Sequence, residues 1–443
     1  MKARHFLPWP KTVLLSRSGR HTLWILSEQK TLLAWLGAIC GFVWIAAAIH
    51  PLDRQAWILE NILLVIFVAA LALTFRRLQL SKASYLFLAA FVVLHIIGAH
   101  YTYARMPVGL WARDYFGLSR NYYDRFAHGA FGFLLAYPIR ELLLRFSGIT
   151  RAWSLWLPPG VILAVSGLFE VIESIVAESI APGEGVKWLG GQGDEWDAQN
   201  DMLSAMVGSL LMIGIVALRE RKKVGRGSRK IESHPGRYGA AGNYFLPIAV
   251  ACYVAFWIAL AIRPLDRGDW LLENILIFAA AAVLVPSYWR FRLSNLSYAL
   301  ILIFLVFHTI GAHYTYAKVP IGFWVKDWLH LERNHYDRAI HFSFGFLLLY
   351  PMRELLIRSA HASRCWATWL AVAVLCALSS FFEIIEAVVA QVVAPDLGIA
   401  YLGTQGDIWD AQKDMTAAFV GAVIVATCLS LYPHVRPTKL RRG

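Results

Sequence analysis

The chain has 443 residues, of which 58% are hydrophobic and only 16% are charged, so it is far more apolar than an average soluble domain. Its net charge of +13 would suit a nucleic-acid-binding protein, but the basic residues lie in short loops and tails between apolar segments. A membrane protein places its cytoplasmic charge in this way, so we exclude nucleic acid as a partner and expect the lipid bilayer instead.

Six apolar runs follow a basic N-terminal tail, residues 1–30, which we expect to be cytoplasmic. The runs lie near residues 31–50, 57–75, 84–100, 126–144, 153–180 and 201–218. At about 1.5 Å of rise per residue, most of them are long enough as helices to cross a bilayer core of roughly 30 Å. The pattern therefore predicts six membrane spans.

The rest of the chain repeats this unit at a constant offset of 213 residues, without insertion or deletion from Pro51–Gly208 to Pro264–Gly421. PLDRQAWILEN corresponds to PLDRGDWLLEN, IIGAHYTYA to TIGAHYTYA, and LGGQGDEWDAQNDM to LGTQGDIWDAQKDM. The second set of apolar runs lies near residues 245–262, 270–289, 297–313, 339–357, 366–394 and 414–432.

We therefore predict an all-α, polytopic transmembrane helix bundle of about twelve spans, built from two tandem six-helix repeats. The repeats cover residues 31–218 and 244–433, with a basic cytoplasmic linker at 219–243 and a basic C-terminal tail at 434–443. Because each repeat has an even number of spans, both enter the membrane in the same sense and are related by an axis along its normal.

The distribution of Lys and Arg sets the expected orientation, since short cytoplasmic loops are enriched in these residues. The tails, the linker and the loops after spans two and four are basic. The loop between spans five and six is instead acidic, with Glu178, Glu184, Asp194, Glu195 and Asp197. We expect both termini in the cytoplasm and this acidic loop outside.

Acidic and histidine side chains from separate motifs gather at the outer ends of the predicted spans. Two pairs, Asp124 with His128 and Glu170 with Glu173, have spacings that place each pair on one helix face. Charged groups are expensive within hydrocarbon, so we expect them to face one polar pocket.

As ligands of a divalent cation we predict Asp124, His128, Glu170 and Asp201, and in the second repeat Asp337, His341, Glu383 and Asp414. As general acids or bases we predict Asp124, His128, Glu170 and Glu173, and in the second repeat Asp337, His341, Glu383 and Glu386.

Further polar residues lie at the same depth: Glu60, Asn61, His95, His100, Arg125, Asp194 and Asp197. A purely structural interpretation stays open, because ion-pair networks also gather carboxylates and Asp201 suits a helix N-terminus. Asp53 and Asp266 are expected to start helices rather than to line the pocket. The five cysteines do not recur between the repeats, which argues against a disulfide framework or a cysteine metal site.

Four motifs resemble those of the YjdF-like bacterial inner-membrane proteins, a family of unknown function: GAHYTYA, RNHYDRAIHFSFG, FFEIIE and GTQGDIWDAQKDM. The usual form of that family is similar to one copy of this unit, and the resemblance implies a bacterial inner (cytoplasmic) membrane location. More distantly, the pattern is similar to VanZ-like membrane proteins, associated with glycopeptide resistance, at Asp337, Arg338, His341, Phe342, Glu383, Glu386, Asp414 and Gly421. Arg338, Glu386 and Ala418 depart from that pattern, so this similarity implies only a fold and an envelope context.

Three kinds of function remain open from the sequence. We prefer a membrane protein with a metal-binding or acid/base site that acts on an envelope or lipid substrate. The next is a structural or regulatory membrane protein whose polar cluster packs helices together, and the last is a transporter, which the parallel six-plus-six arrangement would suit. Whether the protein is an enzyme stays undecided, and the sequence identifies no protein partner and no cofactor beyond the candidate divalent cation.

Overall fold

The computed structural model describes residues 19–180, 192–224, 244–393 and 407–431, and within these ranges the chain forms fourteen α-helices and no strand. The first repeat contains α1 (Gly19–Ala48), α2 (Arg54–Thr74), α3 (Lys82–His100), α4 (Pro107–Phe116), α5 (Tyr123–Phe146), α6 (Trp153–Ile180) and α7 (Asp197–Val224). The second contains α8 (Phe245–Ala261), α9 (Arg267–Arg290), α10 (Asn295–His313), α11 (Pro320–Leu329), α12 (Tyr336–Arg358), α13 (Arg364–Val393) and α14 (Asp410–Leu431). The predicted all-α class is confirmed.

Twelve of the helices lie where the sequence predicts membrane spans. Ten of them are long and apolar enough to cross a membrane, whereas α8 is strongly apolar but has only 17 residues. Helix α5 has 24 residues, but its charged side chains at both ends lower its hydropathy.

The other two of the fourteen helices, α4 and α11, have ten residues each and start at Pro107 and Pro320. The sequence does not predict them. Most of both predicted tails and of the linker, and Glu184 of the acidic loop, lie outside the described residues.

Glycines bring α5 and α7 into backbone contact. A Cβ atom added at Gly132 would lie 1.9 Å from the carbonyl oxygen of Ala205, and one added at Gly208 would lie 2.0 Å from that of Gly129. Gly345 makes the corresponding approach between α12 and α14. Small residues permit such crossings in membranes, where van der Waals packing drives helix association. The first turns of α5 and α7 are thereby held side by side.

The two repeats are joined by a symmetric pair of backbone hydrogen bonds. The N–H of Ser363 donates to the carbonyl oxygen of Ser147 at 2.9 Å, and the N–H of Thr150 donates to that of Ala360 at 3.1 Å. Ser147 and Ala360 are equivalent positions, as are Thr150 and Ser363, so a two-fold axis relates the bonds. Helices α6 and α13 pack together beside this contact. Along α6 and α13, Gly160 lies beside Ala377 and Gly167 lies beside Ser380, so these equivalent helices run parallel, and with them the two repeats run in the same sense.

At the opposite end from the start of α5, a glutamate ties α5 to the N-terminus of α3. The carboxylate of Glu141 accepts hydrogen bonds from the backbone N–H and the hydroxyl of Ser81, at 2.8 and 2.7 Å, and pairs with Arg145 at 2.5 Å. Glu354 holds Ser294 in the same way in the second repeat. These contacts give the repeated glutamate, Glu141 and Glu354, a structural role.

We predict that Gly132→Ala lowers the melting temperature of the protein in detergent, because its methyl group does not fit 1.9 Å from the Ala205 carbonyl oxygen. Overpacking of this kind typically costs about 1–3 kcal/mol. Gly160→Ala is the control, since its new Cβ would meet the Cβ atom of Ala377 at an ordinary 3.9 Å. Thermal melting curves of the two variants test the crossing, and equal melting temperatures would count against it.

Candidate functional site

A group of acidic and histidine side chains lies at one end of each repeat, which we call the site end. The first two turns of α5 carry Asp124 and His128, and the start of α7 carries Asp201. One ligand atom from each of these three residues lies within 4.8 Å of the others. The second repeat has the same group within the same distance, formed by Asp337, His341 and Asp414.

Glu170 joins this group from a third helix, α6. The Nε2 atom of His128 lies 3.8 Å from Oδ1 of Asp124 and 3.8 Å from Oε1 of Glu170, which is too long for a hydrogen bond in either case. The hydroxyl of Ser166 approaches the other imidazole nitrogen, Nδ1, at 3.4 Å. Nε2 is therefore the nitrogen that faces the carboxylates. The second repeat reproduces both Nε2 distances at 3.7 Å, through His341, Asp337 and Glu383.

We call these four residues of each repeat the acidic cluster: Asp124, His128, Glu170 and Asp201, and Asp337, His341, Glu383 and Asp414. The side chains of Glu170 and Asp201 are only 6% and 3% exposed, yet Oε1 of Glu170 and Oδ1 of Asp201 have no hydrogen-bond partner among the described residues. The same atoms of Glu383 and Asp414 are also unpartnered there. Leaving a buried polar atom unsatisfied costs roughly 1–3 kcal/mol, and more for a charged group. A cation or a proton between these oxygens would remove this cost, and the same arrangement recurs in both repeats.

Two further glutamates border the acidic cluster. Glu173, one turn along α6 from Glu170, lines the same cavity as Asp124 and His128. Glu60 of α2 lines the same cavity as Asp124 and His128, and its Oε2 atom is buried without a partner in the described part of the chain. The equivalent positions of the second repeat are Glu386 and Glu273.

A strained turn after α3 brings a tyrosine back to the site. Thr102 and Tyr103 both adopt left-handed backbone conformations, with φ of 56° and 46°, and the Tyr103 ring lies where a Cβ at Gly98 would be. Nε2 of His95 lies 3.2 Å from the carbonyl oxygen of Glu60, so Nε2 carries the proton and Nδ1 accepts from the Tyr103 hydroxyl at 2.7 Å. Burial raises the pKa of Tyr103 well above its ordinary value, so its hydroxyl keeps its proton. The second repeat has the same turn and contacts, with Gly311, Thr315, Tyr316, His308 and Glu273.

Arginines beside the acidic cluster pair with the neighbouring aspartates. Arg120 contacts Asp197 at 2.6 Å and Asp194 at 3.2 Å, and Arg125 pairs with Asp194. In the second repeat the corresponding pairs are Arg333 with Asp410 at 2.7 Å and Arg338 with Asp407 at 2.5 Å. These aspartates hold the start of α7 and α14 and the segment before each to the start of α5 and α12, and they lie beside the acidic cluster without belonging to it.

The structure thus brings together every residue that the sequence predicts as a ligand or an acid–base group, while their roles stay predictions. His100 lies apart, because its Nδ1 is bonded to the carbonyl oxygen of Ala47 at 2.8 Å. Asp53 caps α2, as expected, by accepting from the N–H groups of Gln55 and Ala56. The sequence reasoning missed Tyr103, although the repeated motif GAHYTYA contained it, because nothing in a linear pattern shows that the chain turns back.

The fold and this cluster define a polytopic helical membrane protein with an internal duplication and one buried carboxylate–histidine group in each repeat. Residues 32–222 and 245–434 match the family described as "Predicted membrane protein (DUF2238)", and the chain belongs to this family. It is also 37% identical over 180 residues to the Escherichia coli (strain K12) protein named "Inner membrane protein YjdF", which covers 40% of this chain and 83% of that protein. No solved structure matches.

These matches confirm the similarity to YjdF-like proteins, the tandem duplication and a multi-pass inner-membrane location. They do not show the more distant similarity to VanZ-like proteins, which stays a prediction. Neither description names a reaction, a substrate or a ligand.

We predict that Asp407→Asn lowers the melting temperature at neutral pH but not in strong acid. Burial raises the pKa of Asp407, but hydrogen bonds from Lys413, from the N–H of Trp409 and from Arg338 outweigh burial, so the pKa lies below its ordinary value. The charged form of such a carboxylate stabilises the fold fully at pH values above about 3.9, the pKa of Asp in the unfolded chain. This stabilisation is lost as the pH falls through the lower pKa of the folded state.

Melting curves of the parent and Asp407→Asn, measured from neutral pH down to about pH 3, test this charge effect. The difference between them should shrink as the pH falls. The exposed Asp327 provides a control, since Asp327→Asn should leave the melting temperature unchanged. A difference that stays constant over the whole range would mean that Asp407 acts through packing instead of charge.

Proposed function

We propose that each repeat binds a divalent cation in its acidic cluster and uses it in metal-assisted or acid–base chemistry on a lipid or envelope substrate. One observation carries this proposal. In both repeats an imidazole Nε2 lies 3.7–3.8 Å from two carboxylate oxygens, and one of these oxygens is buried without a partner among the described residues.

A cation would resolve the electrostatics of the cluster. Asp124, Glu170 and Asp201 place three carboxyls around one imidazole, and each charge in hydrocarbon costs roughly 2.5–3.5 kcal/mol on insertion scales. Arg120 and Arg125 are already paired with the outer aspartates. Three carboxylates and one imidazole from facing helices are a donor set that suits Mg²⁺, Mn²⁺ or Zn²⁺.

Glu173 and Glu386 suit the role of general acid or base in this proposal. Glu173 lies one helical turn from Glu170 and lines the cavity beside Asp124 and His128, and Glu386 has the same spacing from Glu383. A positioned carboxyl that can give or take a proton contributes typically about 10²–10⁴-fold to a rate. A bound cation would polarise an oxygen of the substrate or of water at the same place.

A structural role is the second candidate, and the arginine pairs favour it. Arg338 reaches from its pairs with Asp407 and Asp410 toward Asp414 of the acidic cluster, with Nε 3.9 Å from Oδ1. In this alternative the carboxyls are protonated and serve to connect α5, α6 and α7 by hydrogen bonds. The two functions differ in whether the protein retains metal.

We further propose that both termini are cytoplasmic and that the site end faces outward. The short loops at the opposite end carry Arg76, Arg77, Arg145 and Arg151, in keeping with the enrichment of basic residues in cytoplasmic loops. At the site end, Arg120, Arg125, Arg333 and Arg338 are paired with aspartates. This arrangement supports an extracytoplasmic acidic cluster in each repeat.

The cation site predicts about two divalent cations per purified chain, one for each repeat. Glu170→Gln and Glu383→Gln should each remove one, and the double variant should remove both. Glutamine keeps the size of the side chain but removes the negative charge that holds the cation. Elemental analysis of detergent-purified protein measures the metal content directly.

Glu178→Gln is the matched control on α6, because it neutralises a more exposed glutamate that pairs with Lys413 at 2.8 Å outside the acidic cluster. This variant should keep its metal. If the parent holds no metal, and the two cluster variants change only the melting temperature, the cation site is wrong and the structural alternative is favoured.

Cysteine labelling tests the proposed orientation. The exposed cysteines Cys252, Cys365 and Cys428 are first replaced by Ser. In intact spheroplasts a membrane-impermeant maleimide should then label Asp114→Cys, at the site end, and not Arg151→Cys, at the other end. Labelling of Arg151→Cys alone would reverse the topology.

A further inference from the structure

A long cavity of about 500 Å³ extends from the acidic cluster into the membrane-spanning part of the first repeat. Polar side chains line its site end: Glu60, His95, Tyr103, Asp124, His128 and Glu173. The rest of its wall is apolar apart from Ser166, and it is formed by α2, α3, α5 and α6 with Leu80. The volume lies within the roughly 300–1,000 Å³ typical of small-molecule sites.

The cavity is long relative to its volume. Along α5 its wall extends from Asp124 to Leu142. At about 1.5 Å per residue, this stretch of helix measures about 27 Å, close to the roughly 30 Å thickness of the hydrocarbon core. A narrow, apolar channel with one polar end matches the shape and polarity of a single extended hydrocarbon chain with a head group.

The cavity opens to the outside of the helix bundle between α2 and α6. Helix α2 packs against α3, whereas α6 packs against α5, α7, α13 and α14, and α2 and α6 do not pack closely against each other. Two wall residues on α6, Val165 and Leu168, are 45% and 39% exposed. Both flanking helices are long and apolar enough to span a bilayer, so in a membrane this opening would face the acyl chains.

We propose that this cavity, hereafter the lipid groove, binds one hydrocarbon chain of a membrane phospholipid and places its phosphate at the acidic cluster of the first repeat. The inference rests on the proposed cation site, because Mg²⁺-like cations are commonly held by one or two carboxylates together with phosphate oxygens of the substrate. Without a cation, the carboxylates of the cluster would repel a phosphate. The substrate class is thus a phosphate-bearing lipid that enters sideways from the bilayer.

Photocrosslinking in proteoliposomes tests the groove. The probe is phosphatidic acid with a diazirine on one acyl chain, and the crosslinked residues are mapped by peptide mass spectrometry. We expect labelling concentrated on groove residues such as Phe67, Leu135 and Val165. The same labelling with a diazirine-bearing diacylglycerol, which has the chains but no phosphate, should be several-fold weaker.

Two variants make the test specific. Val165→Trp fills the groove and should reduce labelling several-fold, while Ile175→Trp adds the same ring to an exposed position on α6 outside the groove and should not. Glu170→Gln should remove the preference for phosphatidic acid over diacylglycerol. Three outcomes would each overturn the inference. Labelling could be scattered over exposed residues such as Leu211, it could be unaffected by Val165→Trp, or it could be equal for the two lipids.

The metal content of the same samples separates this inference from the proposed function. Val165 lies outside the acidic cluster, so Val165→Trp should keep the metal content of the parent. Metal in the parent with scattered labelling would reject the lipid groove alone. Groove labelling in a parent without metal would reject the cation site, and with it the phosphate placement proposed here.

Discussion

The backbone contact between α5 and α7 is the constraint on which the site depends. Gly129, Gly132 and Gly208 have no side chain to separate the two helices, so the helices cross at the distance of their own main chains. At that distance the short side chain of Asp201 reaches the face of α5 that carries Asp124 and His128. Bulkier residues at the crossing would move the helix axes apart, and ligand atoms that now lie within 4.8 Å would separate.

The charged residues at the site end fall into two groups with different surroundings. Asp194 and Asp197 are bound to Arg120 and Arg125, so their charge is compensated within the protein. Glu170 and Asp201 lie deeper and keep unpartnered oxygens among the described residues, so their charge is not compensated in the same way. An ion-pair network alone would be expected to satisfy the deepest carboxylates first, since those are the most expensive to leave unpaired.

The sequence was sufficient for the features that depend on spacing and repetition. Apolar runs predicted the spans, and the four-residue spacing of Asp124 and His128 predicted a shared helix face. Helix α7 begins at Asp197, one turn before the apolar run, which puts Asp197 on the helix. The return of Tyr103 toward His95 was not predictable, because it depends on a left-handed turn. The groove along α5 was not predictable either, because it depends on a gap between helices that are distant in sequence. Helices α4 and α11 were missed because ten residues are too few to produce a span-length apolar run.

The reciprocal hydrogen bonds between Ser147 and Ser363 and between Thr150 and Ala360 are of the kind that two identical subunits would exchange across a dimer axis. In this chain both partners are covalently linked, so the pairing is intramolecular and does not depend on the concentration of the protein in the membrane. Because both halves belong to one chain, their sequences can also differ from each other. Lys413 pairs with Glu178 across the repeats, whereas the equivalent positions hold Asn200 and Gln391, so one side of the interface has an ion pair that the other side lacks. A homodimer would have to carry both copies of such a contact or neither, and a fused pair can evolve two unequal halves.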